Sequence, residues 1–127
     1  MVQNRKSGAA GNKYGHMMGE KVAKFLGTRL LSKSSNEMIL DGQRIVVKSA
    51  RRKTPEIGLS INMLKRVQSI IVAIENDDES YTLYQVETQW YKEKMTKSRS
   101  KSDVKAKIKK VSCNAIRNEC KIFDKMN

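Results

Sequence analysis

The chain has 127 residues, of which 39% are apolar and 31% charged, and its 26 Lys and Arg against 13 Asp and Glu leave a net charge of +13. That length predicts one domain spanning 1–127, and that charge predicts a polyanionic partner. The single His16 argues against histidine-centred nuclease chemistry and a Ser-His-Asp triad, and two cysteines leave too few ligands for zinc. The longest apolar run, Ile70–Ile74, is far too short to span a bilayer, and no signal-like apolar region follows Met1. A cytoplasmic protein with no membrane association is expected.

Residues 1–12 are small, polar and basic, which predicts a flexible segment. Asn12 fits as the cap of a helix from about Lys13 to Leu26, stopped at Gly27. Tyr14, Met18, Val22 and either Phe25 or Leu26 recur at helical spacing and should face a core. Gly15, Gly19 and Ala23 form an adjacent small-residue stripe suited to close approach. Glu20 lies beside it, and its plain alternative is a surface pair with Lys24. Thr28–Leu31 reads as a short strand.

Glu37 to Lys48 reads as two alternating strands around Asp41-Gly42. With a two-residue loop, Leu40 pairs with Gln43 and Glu37 with Val46, so Lys48 lies diagonally across from Glu37 on one face. Met38, Leu40, Ile45 and Val47 then face a core. A three-residue loop would set Glu37 opposite Val47 and separate the two charges.

Arg51-Arg52-Lys53-Thr54-Pro55 reads as a basic loop, and Ile61–Val67 as a helical turn with Met63, Leu64 and Val67 inward. Ser69–Glu75 is nearly all apolar and should be a central strand. An acidic turn at 76–80 leads to a strand over Tyr81–Val86 and a helix over Glu87–Met95. Tyr81, Tyr84, Trp90 and Tyr91 are expected to be half-buried aromatics. Nine Lys and Arg between Lys92 and Lys110, against Glu93 and Asp103, predict a basic arm or loop over 96–110. A last helix is expected from about Asn114 to Asp124, with Cys113, Ile116, Cys120 and Phe123 on one side. Seven residues apart on a helix, the two thiols are too distant for a disulfide.

The element order predicts an α/β (α+β) fold, a small mixed sheet flanked by helices with a basic C-terminal extension. The helix with Gly19-Glu20, the strand entry Ser34-Ser35-Asn36-Glu37 and the paired strand Val46-Val47-Lys48-Ser49 together resemble the PD-(D/E)XK nuclease superfamily. That group includes type II restriction endonucleases and Holliday junction resolvases. The resemblance covers about Asn12 to Val86 and departs at Val46, where the family carries an acid or Gln.

The resemblance implies a restriction-endonuclease-like fold and a Mg²⁺-dependent DNA endonuclease, with Mn²⁺ as a substitute. Glu37 and Glu20 would hold the metal with the Val47 carbonyl, and Lys48 would position the attacking water. The partner implied is double-stranded or branched DNA, cut by a homodimer. Arg51, Arg52, Lys53, Lys97, Arg99 and Lys101 would contact phosphates. The alternative is a catalytically inactive nucleic-acid-binding protein of the same fold, which Val46 favours.

Overall fold

The computed structural model describes the backbone of residues 5–97 and 107–127, and the side chains of 13–95 and 107–127. Helix α1 spans Arg5–Phe25, so it begins within the segment expected to be flexible, and it is followed by Gly27 at φ 78°. Met18, Val22 and Ala23 form its buried stripe, Tyr14 and Leu26 pack against that cluster, and Phe25 is exposed. Thr28–Leu31 is not a strand. It runs to the hairpin as coil, tied down by hydrogen bonds from Thr28 N to Ala23 O and from Leu31 N to Glu37 O.

Strands β1 (Glu37–Leu40) and β2 (Gln43–Ala50) pair antiparallel in the predicted register, Glu37 opposite Val46 and Leu40 opposite Gln43. The turn holds both central residues at positive φ, 51° at Asp41 and 77° at Gly42, which matches the right-handed twist of the flanking strands. Gly42→Ala is therefore expected to cost about 1 kcal/mol, because a Cβ disfavours that conformation. A shift in the urea midpoint at unchanged slope would measure it.

Beyond the basic turn lies a strand that sequence reading missed, β3 (Glu56–Ser60), with Ile57 and Leu59 inward. Helix α2 (Ile61–Arg66) follows directly, capped by the Ser60 hydroxyl, which accepts from Met63 N. These two elements form the crossover that brings β4 (Ser69–Glu75) parallel to β2. Strand β5 (Tyr81–Glu87) pairs antiparallel with β4, and helix α3 (Thr88–Lys94) leads to the short β6 (Thr96–Lys97).

The C-terminal part differs most from expectation. Ile108–Ser112 is a strand, β7, between β3 and β6, so the expected basic arm over 96–110 has strand structure at both ends. Residues 98–106 of that stretch lie outside the described residues. Helix α4 is only Cys113–Glu119, and Lys121–Met126 is a strand, β8, on the open edge of β5. The backbone groups along β5 outcompete continued helix for this segment. Cys113 is buried and Cys120 half-buried, and both are free thiols.

The fold is mixed α/β in layers. The central five-stranded sheet has the order β1-β2-β4-β5-β8, and the second sheet the order β3-β7-β6. On one face α1 covers Met38, Ile45, Val47, Ile71, Ala73 and Leu83. On the other, β3, β7 and helices α2 to α4 bury Val46, Ala50, Ile70, Val72, Ile74 and Val86. Covering on both faces explains the continuous apolar run in β4. Among the described residues no helix is long and apolar enough to cross a membrane.

Candidate nucleic-acid interface

Lys48 follows the hairpin register onto the same face of β2 as Val46, and β1 reaches along its neighbour only as far as Glu37. The chain entering β1 borders β2 next: Val47 N donates to Asn36 O at 2.8 Å. Here a cleft of about 300 Å³ opens between the two layers. Its polar lining is Ser34, Ser35, Asn36, Lys48, Ser60 and Arg66; Leu59, Met63 and Ile108 supply an apolar wall. Lys48 is half-buried there and has no hydrogen bond or ion pair among the described residues. Burial lowers its pKa, because desolvation disfavours the ammonium form.

Glu37 has a different role from the one its position suggests. It is buried, and its two oxygens are already engaged. Arg66 donates through Nε to Oε1 at 2.8 Å and through Nη2 to Oε2 at 2.9 Å, Arg44 Nε donates to Oε1 at 2.9 Å, and the Ser35 hydroxyl donates to Oε2. Burial pushes the Glu37 carboxyl upward, but the bonds from Ser35, Arg66 and Arg44 outweigh it and hold the pKa at about 2. The arginines keep roughly half of their own side-chain surface in solvent, 42% for Arg44 and 49% for Arg66.

The register that sets Lys48 diagonal to Glu37 sets Arg44 diagonal on the other side, and Arg44 takes the carboxylate. That partner was visible in the sequence. Arg66 was not, because only the crossover carries the end of α2 back over β1.

The structure does not bring Glu20 to this cleft. Helix α1 packs on the opposite face of the sheet, and Glu20 is largely exposed, paired with His16 Nε2 at 2.9 Å instead of Lys24. Its one link toward the cleft is indirect, since His16 Nδ1 lies 3.3 Å from Asn36 Oδ1. Asn36 in turn fills the small-residue stripe of α1, where a Cβ on Gly19 would sit 3.0 Å from its side-chain oxygen. The Val47 side chain points into the α1 core, and Val46 is 2% exposed within the opposite core. An apolar residue at 46 is what that core requires.

These donors do not fit the Mg²⁺ that the resemblance implies. Glu37 is saturated by guanidinium groups, Glu20 belongs to the other layer, and the described residues contain no group of three His, Cys, Asp or Glu able to hold a metal ion.

The basic turn after β2 is exposed but partly anchored. The Arg51 guanidinium stacks 4.3 Å from the Tyr14 ring centroid, and Arg52 Nη1 donates to Asp77 O at 3.1 Å. Lys53 is exposed. Lys97 has its backbone in β6, while Arg99 and Lys101 lie outside the described residues. Tyr91 and Tyr84 are buried in the core and Trp90 packs against it.

The chain matches no known protein-family model, and no curated protein matches it.

Proposed function

We propose that the protein binds nucleic acid through its phosphates at the Lys48 cleft. The observation that carries this reading is Lys48 itself, a half-buried cation without a partner among the described residues, in an open cleft of a chain with net charge +13. Desolvating a charge without pairing it costs free energy that an incoming phosphate oxygen recovers. Arg44 and Arg66 lie beside the cleft with solvent-facing surface, and Arg51 to Lys53 add exposed positive charge at the end of β2.

Fluorescence anisotropy with labelled oligonucleotides tests this. Affinity is expected to fall linearly with log salt, as counterion release requires. Lys48→Met is expected to weaken binding about tenfold, equivalent to about 1.4 kcal/mol, and to reduce the salt slope by about one. Absence of binding at low salt would refute the reading.

Phosphodiester hydrolysis by an endonuclease, as the sequence resemblance implies, is the second reading. It is favoured by one observation, that Glu37 and Lys48 share a sheet face in the predicted register. Supercoiled plasmid and a four-way junction, incubated with Mg²⁺, Mn²⁺ or EDTA, decide between the two. Cleavage that needs the metal and disappears in both Glu37→Ala and Lys48→Ala would establish hydrolysis; binding without cleavage leaves the first reading standing.

A further inference from the structure

We infer that the Lys48 cleft takes a single unstacked nucleotide from a single-stranded segment, in preference to the phosphates of an intact duplex. This rests on the nucleic-acid reading above and names the form of nucleic acid that the cleft selects.

Three features lead there. The first is depth. Lys48 lies between two layers, on β2 beside β4 and just past the end of β1, and only part of its side chain reaches solvent. A duplex carries its phosphates on the outside of a stiff rod, and such a surface meets groups that stand on a rim, as Arg44 and Arg66 do with 42% and 49% of their side chains exposed. Reaching a recessed amine requires a narrow, flexible strand or a nucleotide turned out of its stack, as in base-flipping proteins.

The second is size. A space of about 300 Å³ stands at the lower end of small-ligand sites. That is about the size of one nucleotide.

The third is the division of its walls. Leu59 from β3, Met63 from α2 and Ile108 from β7 form an apolar side, with a polarisable thioether among them. Ser34, Ser35 and Lys48 supply hydroxyl groups and an amine on the other. A pocket for phosphates alone has no use for the first wall, since phosphate gains nothing from hydrocarbon. A nucleotide uses both, its base against the apolar side and its phosphate at the amine.

Two measurements on the full chain test this. Anisotropy titrations compare a 5′-labelled single-stranded oligothymidine with a blunt hairpin duplex of equal phosphate count, each with wild type and Lys48→Met. In parallel, the Met63 methyl resonance is followed in methyl-¹³C-methionine protein during titration with deoxyadenosine monophosphate. The inference expects at least tenfold tighter binding of the single strand, most of that preference lost in Lys48→Met, and a saturable shift of Met63. Equal affinity for both forms, with Lys48→Met weakening them equally, overturns the inference and leaves nucleic-acid binding intact. A Met63 resonance unmoved by the mononucleotide and by the single strand also overturns it. Failure of both oligonucleotides to bind removes the underlying reading as well.

Discussion

Glu37→Ala is expected to destabilise the fold while strengthening its grip on nucleic acid. The carboxylate is 2% exposed and bonded by Arg44, Arg66 and Ser35, so its removal deletes several charge-assisted hydrogen bonds. Removing one partner of a fully buried ion pair costs about 3–5 kcal/mol. Here both guanidinium groups can turn to water, which reduces the expected loss to roughly 1–2 kcal/mol. The same change frees two arginines beside the cleft and raises the net charge by one, so affinity for a single-stranded oligonucleotide rises. The hydrolysis reading expects the reverse functional result, loss of activity. Chemical denaturation and anisotropy on one preparation measure both effects.

The pH dependence of that loss has a definite sign. The Glu37 carboxyl is held at about 2, below its ordinary 4.5, so the unfolded chain takes up its proton first as the solution is acidified. Its contribution is present in full above pH 4.5 and disappears as the pH falls toward 2. Urea midpoints of wild type and Glu37→Gln are therefore expected to differ at pH 7 and to converge near pH 2. A difference that persisted unchanged into that range would mean that the carboxylate charge is not what stabilises the site.

Tyr91→Ala is expected to have the largest effect of any change considered, about 3–5 kcal/mol, the range for truncating a buried aromatic. Tyr91 has no exposed surface; its ring lies in the core shared by β3, β7 and α4, and its hydroxyl donates to Lys109 O at 2.7 Å. The side chain thereby ties α3 to the second sheet, which carries Leu59 and Ile108 of the cleft's apolar wall. Tyr91→Phe keeps the ring and loses the hydroxyl, at an expected cost of about 1 kcal/mol. Thermal melts of the two variants separate cavity from hydrogen bond, and amide exchange along β3 and β7 is expected to accelerate in Tyr91→Ala.

The parts of the fold legible in the sequence are those in which a local pattern has one physical solution. Asp41-Gly42 between alternating residues admits a tight turn, which determines the pairing from Glu37–Val46 to Leu40–Gln43. The run from Ser69 to Glu75 has no polar side for solvent, so it has to be central. Strand β3 left a signal in Ile57 and Leu59, two residues apart before the cap Ser60, but Gly58 and the basic turn ahead of it masked so short an alternation. Strand β7 has lysines at 109 and 110 and reads as a tail until its pairing with β3 is known. Strand β8 carries exposed Ile122 and Phe123, which fit a helix side as well as an edge strand.

The candidate site divides along the same line. Glu37, Lys48 and Arg44 share a face of one hairpin, and counting residues from the turn places all three, because strand side chains alternate with period two. Composition likewise fixes the cationic character, since net charge does not depend on folding. Which cation neutralises Glu37, and which stays free, depends on groups distant in the chain. Arg66 arrives from a crossover helix 29 residues later and forms two of the carboxylate's bonds, leaving Lys48 without a counter-charge among the described residues. Glu20 lies only 17 residues before Glu37, yet α1 packs on the far side of the sheet and carries it away. Sequence separation says nothing of the layer to which an element is assigned. That assignment follows from which apolar faces bury one another, and a single strand pattern does not contain it.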